Sequence, residues 1–159
     1  LIINFIKLEV FMGINDILNK IDSKKEENAE AEIQNKQMQS DNESFLRELV
    51  INLAPMVKEY EEKLSEKGIK VKADIGLQSI SFELKFNDGG HWNLLLAPTL
   101  DSTGRFSFTS SCTNDDGRPY TSTNGSTYGK TNWQDEMFFE KLDKHIEDFI
   151  YYSDRHGGF

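Results

Sequence analysis

Three histidines and one cysteine are the residues whose chemistry could serve catalysis or metal binding: His91, His145, His156 and Cys112. A zinc site needs about three or four converging ligands, and the sequence has neither a His-x-x-x-His spacing nor a cysteine pair. A general base at His91 would need a positioned nucleophile beside it, which the sequence does not offer. We therefore expect no metal, no cofactor and no catalytic residue, and we interpret His91 and His145 as surface or boundary side chains.

Short motifs after the predicted sheet resemble ligand loops but miss the required spacing. Residues 114–117, Asn-Asp-Asp-Gly, lack the alternation and the closing Glu of a calcium loop, so they are interpreted as a turn. Residues 125–131 are one position short of a phosphate-binding loop and lie in too long a connection. Cys112 has no basic neighbour in sequence, which favours a small buried side chain over a nucleophile.

Residues suited to protein recognition occur in two places. Near the N-terminus, four apolar residues recur at i, i+3, i+4 and i+7 and would form one stripe on a helix: Ile14, Ile17, Leu18 and Ile21. In the polar segment 113–130, the side-chain types favoured at interfaces are Arg118, Tyr120 and Tyr128. We predict that these two groups of residues contact a partner.

Composition restricts the kind of partner. The chain has 159 residues, 37% of them hydrophobic, and a net charge of −9, which fits one domain with an additional arm. This charge disfavours direct binding of nucleic acid or of an anionic membrane, whereas a protein partner, including a basic nucleic-acid-binding one, is electrostatically easier. A single cysteine permits no intrachain disulfide, and residues 1–11 do not have the pattern of a signal peptide, so we expect a cytoplasmic protein.

Segment 69–111 alternates between apolar and polar residues and must position any site. This pattern predicts an antiparallel sheet with one buried face. The predicted inward residues are Val71, Ala73, Ile75, Ile80, Phe82, Leu84, Phe86, Trp92, Leu94, Leu96, Phe106 and Phe108. We predict four strands, with a four-residue loop Gly76–Ser79 and a three-residue loop Asp88–Gly90. These loops pair Ala73 with Phe82 and Phe86 with Trp92.

Helical patterns flank the sheet. A short amphipathic helix is predicted at about 13–21. The charged segment that follows it to residue 42 is interpreted as a solvated linker or a frayed helix. Ser40 fits an N-cap with Glu43 in a capping box, Pro55 should kink or split the helix that follows, and Gly68 fits its C-cap. A last helix, beginning near Asn132 and ending near residue 153, carries the stripe of Phe138, Leu142, Ile146 and Phe149.

These elements predict an α+β fold: a two-layer sandwich in which two helices cover one face of a four-stranded antiparallel meander, in the order α-β-β-β-β-α. A mobile N-terminal helical arm with its charged linker would occupy residues 1–42, and a single α+β domain residues 43–155. Segment 113–130 is expected to be a structureless connection. Met12-Gly13 would suit a start site, so residues 1–11 are expected to be an extension.

The favoured function is a non-enzymatic acidic protein-binding module of adaptor, chaperone, immunity or inhibitor type. One alternative is a subunit of a larger phage or secretion assembly. This alternative is compatible with a homo-oligomer. Another is a small enzyme or ligand-binding domain that uses the polar sheet face and segment 113–130. This second alternative requires His91, Asp115, Asp116 or Arg118 to converge on a pocket.

Overall fold

The computed structural model describes residues 2–123 and 125–159, with side chains described from Gly13 onward. Contacts between residues divide the chain into two units, one ending at Met38 and the other running from Gln39 to Phe159. The boundary predicted near residue 42 and the mobility of the arm stay predictions, as does the interpretation of residues 1–11, whose side chains lie outside the described ones. No helix of the described residues is long and apolar enough to cross a membrane.

The first helix, α1, runs from Ile2 to Glu66. A non-helical linker over residues 22–42 is therefore wrong, as is an N-cap at Ser40, and the helical alternative for this segment agrees with the structure. That segment lacks an apolar stripe, but it is rich in the good helix formers Glu, Lys, Gln and Ala. Ion pairs one turn apart, such as Lys20–Asp16 at 3.6 Å and Lys36–Glu32 at 3.3 Å, also support a solvated helix. Every described side chain from residue 13 to residue 38 is exposed.

The C-terminal end of α1 is confirmed at Gly68, which takes a φ of +84°. The Gly68 amide donates to the Ser65 carbonyl (2.9 Å) and the Ile69 amide to the Leu64 carbonyl (3.1 Å), the two bonds of a Schellman motif. The helix does not end at Pro55, so the predicted split is wrong there. The chain consequently turns from helix into sheet within a few residues.

Within the described residues, five antiparallel strands form one sheet in chain order, instead of the predicted four. Their bounds are β1 Lys70–Ile75, β2 Ile80–Lys85, β3 His91–Pro98, β4 Phe106–Thr113 and β5 Pro119–Thr123. The extra strand, β5, lies in segment 113–130, so the expectation of a structureless connection there is wrong. All twelve predicted inward residues belong to the core or pack against it.

The register between β1 and β2 is confirmed, because Ala73 pairs with Phe82 across the loop Gly76–Ser79. The register between β2 and β3 is wrong by two residues, since Leu84 pairs with Trp92 instead of Leu94. A shift of two keeps every side chain on its face, so alternation alone could not detect it.

The hairpin between β2 and β3 explains this shift. Its loop does have three residues, but they are 87–89, since the Phe86 amide donates to the Gly90 carbonyl at 2.9 Å. Gly89 occupies the left-handed position at the end of the loop, with a φ of +86°. The loop therefore begins one position earlier than predicted.

The second helix, α2, runs from Glu136 to Tyr152, and a 3₁₀ turn follows over Ser153–His156. Helix α2 begins about one turn later than predicted. The Asn132 side chain instead forms a turn, in which its Oδ1 accepts a hydrogen bond from the Gly129 amide at 2.8 Å. Phe138, Leu142 and Phe149 are buried. Side chains of α1 beyond residue 44 and of α2 share one hydrophobic core with the inward face of the sheet.

Candidate functional site

Strand β5 forms one edge of the sheet, and all five of its residues are exposed. It follows β4 through the predicted turn at Asp116-Gly117. There the Asn114 amide donates to the Arg118 carbonyl (2.8 Å) and Gly117 takes a φ of +79°. This turn repeats the bonding of the β2–β3 hairpin and fixes which β5 residues face β4.

The outward groups of β5 follow from that turn. Hydrogen-bonded and non-bonded pairs alternate along an antiparallel ladder. Asn114 and Arg118 are a bonded pair, so the Tyr120 and Ser122 main chains face β4 and that of Thr121 faces outward. Pro119, which has no amide, occupies an outward position, where it costs no ladder bond. Among the described residues, nothing bonds the outward Thr121 main-chain groups.

The opposite edge, β1, is covered at Ala73 by side chains of α1. Ala73 pairs with Phe82 at a position whose main chain faces outward. Lys58 Nζ donates to the Ala73 carbonyl at 2.7 Å, and the Ala73 amide donates to a Glu61 carboxylate oxygen. Lys70 and Lys72 add charge along this strand. Charged and covered edges resist the pairing of another strand, so β1 is a protected edge and β5 an open one.

A groove lies beside β5 on the inward face of the sheet, with residues of β3, β4 and β5 as its floor and α2 as its wall. We call it the β5 groove. Its first part, a cavity of about 230 Å³, is lined by Trp92, Leu94, Ser110, Ser111, Cys112, Tyr120, Ser122, Lys141, Lys144, His145 and Asp148. Tyr120 pairs with Cys112 across the strands and remains 55% exposed. An aromatic ring is thus available to a ligand on the groove floor.

His145 and Trp92 join the α2 wall of the groove to its floor. The Trp92 indole Nε1–H donates to the His145 carbonyl at 3.0 Å, and His145 Nε2 lies 3.1 Å from the Trp92 carbonyl. Nε2 must carry the proton to bond a carbonyl, which leaves Nδ1 as an acceptor. Burial lowers the pKa of His145 to about 4, so this histidine is neutral at pH 7. It is buried, contrary to the predicted surface or boundary position.

Charge in the first part of the groove is concentrated on Lys141. Lys144 Nζ is paired with Asp148 Oδ1 at 2.6 Å. Lys141 is half-buried, with its Nζ 5.9 Å from the centroid of the Phe108 ring, and it forms no ion pair with any described residue. Burial raises the pKa of the Cys112 thiol, so Cys112 stays uncharged. The groove therefore presents one uncompensated positive charge.

The second part of the groove continues towards the β4–β5 turn. It is a cavity of about 490 Å³ that shares Trp92, Cys112 and Tyr120 with the first part. Asp115 and Asp116 lie at this end, where Arg155 Nη1 reaches Asp115 Oδ2 at 3.3 Å. The groove thus has a positive end at Lys141 and an end at the turn where Asp115 is paired with Arg155 and Asp116 with Arg118.

His156, which the sequence did not mark as structured, closes the base of the second part. Its Nδ1 lies 2.8 Å from Asp88 Oδ2, and its ring stacks on Phe86 at 4.2 Å. The Gly90 amide, and to a smaller extent His156, lower the pKa of Asp88. The Asn87 amide donates to the Gly158 carbonyl at 2.9 Å, so the chain end is tied to the β2–β3 loop. These contacts join residues about 70 positions apart, so no local sequence pattern could predict them.

The predicted partner-binding residues are not all brought together. Arg118 and Tyr120 are both exposed beside the β4–β5 turn. Tyr128 instead packs into the core, with ring centroids 5.3 Å from Trp133 and 6.1 Å from Phe106. The stripe of Ile14, Ile17, Leu18 and Ile21 belongs to the unit ending at Met38, and each of these side chains is about half exposed. Their contact with a partner stays a prediction.

His91 is exposed on the outer sheet face, where its amide donates to Thr113 Oγ1 at 3.0 Å. Within the described residues, no group of three or more His, Cys, Asp and Glu side chains is placed to hold a metal ion.

Comparison of the chain with protein-family models, curated proteins and solved structures finds no match.

Proposed function

We propose that the unit Gln39–Phe159 is a non-enzymatic protein-binding module that accepts an extended segment of a partner protein along β5. The observation that carries this proposal is the difference between the two sheet edges. Lys58 and Glu61 occupy the outward main-chain groups of Ala73 on β1, whereas those of Thr121 on β5 are free among the described residues. An added strand would bond these groups through its own main chain.

The surroundings of β5 support the same role. Tyr120 offers an exposed ring on the groove side, and Tyr is among the side chains that anchor interfaces. Thr121 and Thr123 have small polar side chains on the opposite face, so a strand could approach the edge without displacing a large residue. A partner segment would therefore gain main-chain bonds and one aromatic contact.

The groups that could do covalent or acid–base chemistry are engaged in other ways. The Cys112 thiol is kept protonated by burial, and His145 Nε2 is bonded to the Trp92 carbonyl. His156 is stacked on Phe86 and bonded to Asp88. These contacts support binding rather than catalysis, in an adaptor, chaperone, immunity protein or inhibitor.

The test replaces Thr121 by proline. Because the Thr121 amide points away from β4, proline removes a donor from the free edge and no bond from the sheet. Thr121→Val is the matched control, since it keeps the amide. Random 12-residue peptides displayed on phage are selected on the full chain, and the affinities of the enriched peptides are measured by calorimetry.

We expect Thr121→Pro to weaken peptide binding at least about tenfold and Thr121→Val to leave it within about twofold. Circular dichroism and thermal unfolding must show that both variants remain folded. Failure to enrich any peptide, or equal affinities for the two variants, would contradict the proposal. A dimer that Thr121→Pro dissociates, seen by light scattering, would show instead that β5 pairs with a second copy of the chain.

A further inference from the structure

We infer that the partner segment carries an Asp or Glu side chain that binds Lys141 in the β5 groove. This inference rests on the proposed function and names the chemistry of the segment that β5 accepts. It depends on where an added strand would place its side chains and on which charge in the groove lacks a partner.

Sheet geometry determines which side chains of the segment enter the groove. Side chains alternate between the two faces of a strand, and neighbouring strands are about 4.8 Å apart. Tyr120 and Ser122 face the groove, paired with Cys112 and Ser110 of β4. Every second side chain of a strand beside β5 would therefore lie on the same face as Tyr120, next to the wall formed by α2.

The α2 wall offers that side chain one free cation. Lys144 is compensated by Asp148, whereas Lys141 forms no ion pair with any described residue. His145 and Cys112 contribute no charge at neutral pH, because burial keeps both in their uncharged forms. The local charge is thus positive although the chain as a whole carries −9. A carboxylate is the group that complements Lys141.

The hydroxyl groups around Lys141 suit the same ligand. Ser110, Ser122 and Tyr120 line this part of the groove and can donate hydrogen bonds to a carboxylate. At the other end of the groove, Arg155 pairs with Asp115 and Arg118 with Asp116, so the cations there are already compensated. Together the two ends favour a segment whose acidic residue lies at the Lys141 end, which fixes its position along β5.

The test is selection from the same 12-residue phage library on three forms of the full chain: wild type, Lys141→Gln and Lys141→Glu. Lys85→Gln is the matched control, since it removes the same charge from an exposed residue of β2 on the opposite sheet face. The readouts are the frequency of each residue type in the enriched peptides and the affinity of one synthetic acidic peptide with its Glu→Gln counterpart.

Wild type and Lys85→Gln should enrich peptides containing Asp or Glu, Lys141→Gln should lose this preference, and Lys141→Glu should exchange it for Lys or Arg. We expect Lys141→Gln to weaken binding of the acidic peptide about three- to tenfold and to leave the affinity for its Gln counterpart almost unchanged. Peptides that bind through Thr121 without an acidic preference, or with one that Lys141→Gln leaves unchanged, would overturn the inference and leave the proposed function standing. Failure to enrich any peptide would overturn both.

Discussion

His145 couples the stability of the unit Gln39–Phe159 to pH. Burial lowers the pKa of its imidazole from 6.5 to about 4. Between these values the unfolded chain binds more protons than the folded one, so folding stability falls as pH decreases from 6.5 to 4 and changes no further, through this group, below that range. The pKa difference corresponds to about 3 kcal/mol.

Replacement of His145 by glutamine should remove this part of the pH dependence, because glutamine can still donate to the Trp92 carbonyl but does not titrate. We expect the free energy of unfolding, measured by urea titration at several pH values between 4 and 7, to decrease less steeply in the variant. His91→Gln makes the same substitution at an exposed site and controls for the change of residue type. Parallel curves for wild type and His145→Gln would contradict the prediction.

Asn42 shows what single-residue sequence patterns could not reveal. Its position after Ser40 suggested the start of a helix, but it is buried within α1. Its side-chain Nδ2 donates a hydrogen bond to the Thr103 carbonyl at 3.1 Å, and its Oδ1 accepts one from the Lys130 amide at 3.2 Å. Gly104 leaves room for this contact, since a Cβ there would lie 2.5 Å from the Gln39 carbonyl oxygen. These partners are distant in sequence, so local capping rules could not anticipate them.

At the scale of elements, the protection of β1 by α1 has a measurable effect. Replacing both Lys58 and Glu61 with alanine keeps helix propensity but frees the Ala73 main chain. We expect exchange of the Ala73 amide hydrogen to speed up at least about tenfold, with a loss of about 1 kcal/mol in the free energy of unfolding. Nuclear magnetic resonance of exchanging amides provides the measurement.

The matched control for this prediction is the pair Glu62→Ala and Lys63→Ala. It removes the same two charges from exposed neighbouring positions of α1. Its Ala73 amide should exchange as in wild type. Equal exchange in the two double variants would mean that Lys58 and Glu61 do not protect the edge.

The strands also show how far alternation can predict a fold. The inward face was predictable because burial imposes a period of two, and every predicted inward residue lies in or against the core. The register of β2 and β3 was not, since it depends on which glycine adopts the left-handed conformation. Strand β5 was missed because Pro119–Thr123 is exposed on both faces and has no apolar alternation.

At the scale of the whole molecule, the hydrophobic core belongs to one unit. All of its described buried residues lie from Leu46 onward, within Gln39–Phe159. A chain shortened to residues 39–159 should therefore unfold with a free energy within about 1 kcal/mol of the full chain. Urea unfolding followed by the fluorescence of Trp92 and Trp133 measures this, because both tryptophans remain.

A second shortened chain beginning at residue 30 serves as the control for this prediction. It separates loss of contacts from fraying of the new helix end near Asn42. A loss of more than about 2 kcal/mol in both shortened chains would show that the first unit contributes to folding of the second.

The helical content itself was only partly predictable, because residues 22–42 have helix-forming composition but no apolar period.

The unequal edges also limit how copies of this chain can polymerise. An open-ended fibre needs each sheet to offer one edge to the next copy and to receive another at its opposite edge. Lys58 and Glu61 occupy the main-chain groups of Ala73 at the β1 edge and interrupt the pairing of another strand there, so growth that begins at β5 is opposed at the other edge. The chain can keep one edge open for another strand without becoming a template for amyloid-like stacking.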